Sequence, residues 1–167
     1  MHLVYLAIGS NLGDRSKNLL SAVRNLDPVV SVLKCSPIYE TSPWGYKDQP
    51  EYLNQVIMAE TDLSPGDLLT YLKRIELELG REETFRYGPR LIDIDILFYD
   101  DQIVYLPKLT IPHPRINERA FVLVPMADIA PHFEHPVLGE TIEELLSKLD
   151  KDGVIYFSSS GCNEKNG

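Results

Sequence analysis

Two aspartates separated by a single residue, Asp93 and Asp95, sit in the run Arg86-Tyr87-Gly88-Pro89-Arg90-Leu91-Ile92-Asp93-Ile94-Asp95-Ile96-Leu97. Residues two apart on a strand project to the same face. Both carboxylates are therefore expected on one side, with Ile92, Ile94, Ile96 and Phe98 turned the other way into a core. Such a pair repels itself, and packing requires neither member. Hard oxygen donors of this kind suit Mg²⁺, which takes one or two carboxylates and completes its shell with water and nucleotide phosphates. The same pair can bridge two ions ~3.5–4 Å apart, the arrangement that clamps a phosphoryl transfer. A bare Asp-x-Asp is more often an exposed acidic strand with no role, so its neighbours decide. Arg81, Arg86, Arg90, Arg115 and Arg119 are five of the chain's eight arginines, gathered into 39 residues, and arginine is the side chain suited to bidentate phosphate recognition.

Further candidates lie on either side. Gly80 and Gly88-Pro89 mark Arg81–Pro89 as a flap able to close over a polyphosphate. His113, in Thr110-Ile111-Pro112-His113-Pro114, is held between two prolines with arginines two and six positions on. It can serve as a hydrogen-bond donor to phosphate or as a proton donor. Tyr52 and Asn54 share a strand face, so an aromatic plate stands beside an amide that both donates and accepts, a combination suited to a flat heteroaromatic ring. Phe121 can supply a second plate. Gly9-Ser10-Asn11-Leu12-Gly13-Asp14 has turn chemistry but neither the Walker lysine nor G-x-G-x-x-G spacing, and reads as a mobile loop near the site.

These residues need a scaffold. Leu3–Ile8 is a β-prone run, and Leu19, Leu20, Val23 and Leu26 recur at helical spacing until Asp27-Pro28. Val29–Tyr39 and Tyr52–Thr61 read as the two strands of a hairpin joined by the long loop Thr41–Pro50. Ser64-Pro65 opens a helix that Gly80 ends. Leu91–Tyr99 is an alternating strand. The order βαββαβ predicts an α+β fold, a ferredoxin-like α/β sandwich with helices on one face of an antiparallel sheet. A C-terminal extension follows from about Asp100, with the apolar segment Phe121–Ile129 and a helix opened by the capping box Thr141 and Glu144. One domain over residues 1–157 and a frayed tail over 158–167 are expected.

The chain has 167 residues, 44% of them hydrophobic and 25% charged, a globular balance rather than a disordered or fibrous one. A formal charge of −9 argues against broad nucleic-acid or anionic-membrane contact, because both want a positive face. No run approaches the ~18–20 apolar residues of a membrane span, and no signal peptide is evident. Cys35 and Cys162 are far apart in sequence and sit at no metal-finger spacing. A reduced, cytoplasmic, monomeric protein acting on small molecules, with no nucleic-acid or membrane partner, is the expectation.

Taken in order, the motifs resemble those of the 6-hydroxymethyl-7,8-dihydropterin pyrophosphokinases of folate biosynthesis. They are Ala7-Ile8-Gly9-Ser10-Asn11-Leu12-Gly13, Asp48-Gln49-Pro50-x-Tyr52-Leu53-Asn54, Arg74-Ile75-Glu76 to Gly80-Arg81, Tyr87-Gly88-Pro89-Arg90-x-x-Asp93-Ile94-Asp95, and Pro112-His113 followed by Arg119-x-Phe121. The resemblance implies transfer of pyrophosphate from ATP to the hydroxymethyl group of the pterin, with release of AMP. It implies that Asp93 and Asp95 bind two Mg²⁺ and that Arg81 and Arg90 join them as catalytic residues. It assigns Arg81, Arg90, His113 and Arg119 to the polyphosphate, Lys108 and Thr110 to further nucleotide contacts, and Glu76 and Ile96 to the nucleotide wall. Tyr52 and Phe121 would sandwich the pterin, while Asn54, Thr41, Ser42, Pro43 and Trp44 would meet its edge and Asp93 its hydroxymethyl end. Tyr87 and Lys108 stand where other members carry tryptophan and arginine.

Overall fold

The computed structural model describes residues 1–41, 51–80 and 91–159. Strand β1 (His2–Ser10) leads through a turn to helix α1 (Arg15–Leu26), capped by Asp14, whose side chain accepts the Lys17 N–H. The stretch expected as one strand is two, β2 (Val30–Cys35) and β3 (Ile38–Thr41). Pro37 has no N–H to give a ladder, and at the break Ser36 bonds to β4 (Tyr52–Thr61) through both its backbone and its hydroxyl. Helix α2 (Pro65–Glu78) starts at the Ser64 cap with proline in its first turn, and ends at Gly80, whose φ of +88° only glycine adopts without strain. Strands β5 (Asp93–Tyr99), β6 (Val104–Leu106) and β7 (Leu109–Ile111) follow. The extension then supplies a 3-10 turn (Ile116–Glu118), α3 (Ala120–Ile129), α4 (Ile142–Ser147) behind the Thr141–Glu144 capping box, and β8 (Val154–Ser158).

The main sheet is antiparallel throughout, in the order β5-β1-β4-β3-β8, with β2 also pairing β4. Its first four positions are the ferredoxin-like arrangement. Two departures from the sequence reading matter for the site. First, helices cover both faces. Leu19, Leu26, Leu68 and Leu72 of α1 and α2 bury one, and Val122, Leu123, Met126, Ile142 and Leu145 of α3 and α4 bury the other. The apolar segment after Phe121 is itself a helix, and its burial closes the second face. Second, the alternation along β5 breaks. Tyr5 pairs with Phe98 but Leu6 pairs with Ile96, so Leu97 is an extra residue, and Leu97 and Phe98 both join the α3/α4 cluster. Phe98 therefore faces away from Ile92, Ile94 and Ile96, as a bulge inverts the facing beyond it. Cys35 packs against the core and is disulfide-bonded, in contrast to the reduced thiol expected, because sequence spacing does not report the redox state of a thiol. Among the described residues no helix is long and apolar enough to cross a membrane.

Candidate active site

Three strands carry the floor. Asp93 lies opposite Gly9, which lies opposite Asn54, and Asp95 lies opposite Ala7, which lies opposite Val56. Cross-strand partners share a face, so the two carboxylates look out over the smallest side chains the central strand can offer. The clearance at Gly9 is real: a Cβ there would stand 3.4 Å from Asn54 Oδ1 and 3.5 Å from Tyr52 Cδ1. Asn54 in turn donates from Nδ2 to Thr41 Oγ1 at 2.7 Å.

Above this floor is a cavity of about 290 Å³, lined by Thr41, Tyr52, Asn54, Asp93, Asp95, His113, Arg119 and Phe121 together with Ala7, Gln55 and Ile116. Phe121 sits in the first turn of α3, and the Arg119 guanidinium lies 5.7 Å from its ring centre. On the other side of β5 is a cavity of about 390 Å³, lined by Leu69, Lys73, Ile94, Ile96, Lys108, Thr110 and Pro114. Asp95 and His113 line both cavities. The Leu97 bulge explains the second of these. Its carbonyl accepts the His113 N–H at 3.0 Å and so ties the proline-flanked loop to the strand that carries the aspartates. A bulge beside a site that re-aims a neighbour is a recurring device.

The electrostatics of the shared residues differ from those of free side chains. Burial, then the neighbouring Asp93 carboxylate, push the Asp95 carboxyl up to about 7, as expected where two like charges share one dry spot. Burial, then the Arg119 guanidinium, hold His113 down at about 4, so the ring is neutral at pH 7. Its Nδ1 accepts the Arg115 N–H at 3.4 Å, which leaves the proton on Nε2 as a donor. The ring therefore offers a hydrogen-bond donor at Nε2.

Glu76 is fully buried and lines neither cavity. One of its oxygens accepts the Ile94 N–H at 2.7 Å, and the other lies 3.3 Å from Lys73 Nζ. Because β5 is an edge strand, that N–H faces away from β1. Glu76 thus fixes the backbone between the two aspartates from behind, and Lys73 is the charged α2 side chain that reaches the second cavity. Sequence reasoning missed Lys73. The signal was its position one helical turn before Glu76 on α2.

Of the other residues singled out, Ile96 is at once core and cavity wall. Arg115 pairs with Glu118 at 3.0 Å and lines neither cavity, unlike Arg119. Ser42, Pro43, Trp44, Arg81, Arg86 and Arg90, and with them the flap, lie outside the described residues. No cluster of three or more His, Cys, Asp or Glu groups able to hold a metal occurs among the described residues. Among the described residues the donor set is the Asp93–Asp95 pair, two carboxylates on the wall of the first cavity, which fits an ion that takes most of its shell from water and phosphate.

A family model for 7,8-dihydro-6-hydroxymethylpterin-pyrophosphokinase matches residues 5–131. The chain is 41% identical over 144 residues to the 2-amino-4-hydroxy-6-hydroxymethyldihydropteridine pyrophosphokinase of Aquifex aeolicus, covering 86% of this chain and 90% of that protein. It is 40% identical over 166 residues to the enzyme of the same name from Bacillus subtilis, covering 98% and 95%. Over 155 residues it is 45% identical to the folic acid synthesis protein FOL1 of Dictyostelium discoideum, 93% of this chain but 24% of that one, so it spans about a quarter of that longer relative. The fold is similar to that of a Plasmodium falciparum HPPK-DHPS crystallised with SDX-DHP, with a TM-score of 0.71 at 18% identity over 88% of this chain and 44% of that chain. With the two-cavity geometry and these matches together, the chain belongs to the 7,8-dihydro-6-hydroxymethylpterin-pyrophosphokinase family, the ATP-dependent pyrophosphoryl transferases of folate biosynthesis.

Proposed function

We propose that the two cavities hold the two substrates of one reaction. The pyrophosphoryl group of ATP passes to the hydroxymethyl oxygen of 6-hydroxymethyl-7,8-dihydropterin, giving AMP and the pterin pyrophosphate. The observation that carries this reading is that Asp95 and His113 belong to both walls. Groups held by the two cavities therefore meet at Asp95 and His113, with Asp93 on the wall of the first cavity.

The pterin lies in the cavity of Tyr52, Asn54 and Phe121, its ring between the aromatic side chains and its polar edge against Asn54 and Thr41, with Ser42, Pro43 and Trp44 of the adjoining segment contributing to the same edge. The nucleotide occupies the cavity of Lys73, Ile96, Lys108 and Thr110, with Glu76 holding its wall from behind. In the reaction the hydroxyl oxygen forms a bond to the β-phosphorus, the bond from that phosphorus to the α–β bridging oxygen breaks, AMP leaves, and the hydroxyl proton is lost. Asp93 and Asp95 would hold two Mg²⁺, which supply charge neutralisation on the phosphates and a lowered pKa for the hydroxyl. Arg119 and the neutral His113 Nε2–H face the polyphosphate, and Arg81 and Arg90, placed by their motif, complete its neutralisation. Positioning and electrostatics supply most of such a rate enhancement.

A cytoplasmic monomer is the setting we propose, in keeping with a reaction that draws on ATP. The test is incubation with ATP, Mg²⁺ and the pterin, with chromatographic separation of nucleotides. AMP that appears only when the pterin is present is the expected result. ADP or free pyrophosphate as the nucleotide-derived product would overturn it.

A further inference from the structure

The strand β8 contributes nothing to either core cluster, and Ile155, Tyr156 and Phe157 are all exposed. It also lies beyond the residues matched by the family. Yet it pairs with the whole length of β3, Thr41 opposite Val154 and Glu40 opposite Ile155, and so occupies the edge that β4 leaves open. Its Tyr156 ring meets Tyr39 edge-on at 6.1 Å, and the Tyr39 hydroxyl donates to Asp128 of α3.

Arg15, the first residue of α1, joins the same place from the other side. Its Nη1 donates to Glu40 Oε2 at 2.7 Å and to the Glu51 carbonyl at 2.9 Å, while its guanidinium lies 5.7 Å from the centre of the Phe157 ring. Glu40 precedes Thr41 and Glu51 precedes Tyr52. Thr41 and Tyr52 are themselves cross-strand partners, and both line the cavity with Asn54, which bonds Thr41. One planar cation therefore grips the two backbone stretches that aim Thr41 and Tyr52, and β8 covers both the cation and the free edge of β3.

We infer that Arg15 and β8 form a brace that presets the Thr41–Tyr52–Asn54 wall, making Arg15 a positioning residue for the pterin and not for ATP. Arg15 touches neither cavity. A guanidinium suits the task because its fork serves two acceptors in fixed directions and its face packs on an aromatic ring. A wall held in its bound shape loses less freedom when ligand arrives, which raises affinity without any new contact. With the Arg15 and Glu40 side chains 25% and 28% exposed, the pair is still screened by solvent and adds little to global stability.

This inference rests on the function proposed above, and the experiment separates the two. Arg15→Ala, Arg15→Lys and Phe157→Ala are compared with the full chain by calorimetric titration with the pterin and with MgATP, and by amide hydrogen exchange without ligand. Arg15→Ala should weaken pterin binding by about tenfold, and Phe157→Ala, which removes the ring beside the guanidinium, by a smaller factor. MgATP binding should change less than about twofold, and the melting temperature should move by no more than about 3 °C. Arg15→Lys should recover part of the pterin affinity. Exchange at the Thr41 and Tyr52 amides should quicken. Equal losses for both ligands, or unaltered pterin binding in Arg15→Ala, would overturn the brace. The exchange arm needs no substrate: unchanged exchange at Thr41 and Tyr52 also overturns it, whereas failure of the full chain to bind the pterin at all would overturn the proposed function instead.

Discussion

The face of the sheet under α1 and α2 is filled by aliphatic side chains except at its β5 edge, where the second cavity lies, whereas the face under α3 and α4 is filled only as far as Leu97 and Phe98 and then opens onto Asp95, Asp93 and the first cavity. The same strands serve both. Along β5, Ile92, Ile94 and Ile96 face the closed side, the aspartates face the open one, and the Leu97 bulge ends the alternation where the opening begins. The lesson is a division of labour: one face supplies the burial that folding needs, and the other tolerates two repelling carboxylates because stability does not rest on it.

That division can be broken by exchanging the readouts. Asp95→Ala should lower AMP formation by roughly three orders of magnitude or more, since a metal-holding carboxylate at the reaction centre acts in the transition state. The melting temperature should hold or rise, because the variant removes a carboxylate that burial and Asp93 disfavour. Near-normal turnover at saturating Mg²⁺ would break the assignment. On the closed face the pattern should invert. Leu26 is fully buried on α1, and Leu26→Ala should cost about 2–5 kcal/mol of stability, read by denaturant unfolding, with turnover of the remaining folded protein little changed.

Within the open face, Asn54→Ala should raise the pterin dissociation constant by about tenfold while leaving that of ATP nearly constant. Equal effects on the two ligands would mean that the cavities are not separate sites. The smallest effects concern pH and are read without divalent cations. Asp95 has a folded pKa raised to about 7, so its contribution is present below the unfolded value near 4 and is lost as pH rises towards 7. His113 has a folded pKa lowered to about 4, so its contribution is full above the unfolded value near 6.5 and is lost as pH falls towards 4. Asp95→Asn and His113→Asn should therefore change the slope of stability against pH in opposite directions across this range. Slopes altered in the same sense would contradict the opposed environments.

Much of the closed face was legible in the sequence because periodicity reports burial: the Leu68 to Leu79 stripe, the Ser64 cap and the Gly80 stop all have their counterparts in α2. The carboxylate pair, Tyr52, Asn54 and His113, singled out by type and spacing, line one cavity. Residues that act through the backbone were not legible in this way. The Leu97 bulge is one extra residue in an apolar run, and nothing in its side chain announces it. Glu76, given a place at the nucleotide wall by the resemblance, bonds the Ile94 N–H because an edge strand lies beside α2, and no residue type announces that contact. Arg15 reads as an ordinary first-turn cation until β3, β4 and β8 are brought together. The second helical layer was likewise hidden, since the α3 segment is apolar on nearly all sides and carries Pro125, so periodicity had nothing to detect.

The account turns on two substrates meeting across one carboxylate pair. A crystal structure of the protein with Mg²⁺, a non-cleavable ATP analogue and the pterin tests it most directly. The expected result is the pterin between Tyr52 and Phe121 with its edge at Asn54, the nucleotide beside Lys108 and Thr110, and metal ligated by Asp93 and Asp95 between them. A nucleotide seated against Asn54, or phosphates and metal bound away from both aspartates, would contradict it.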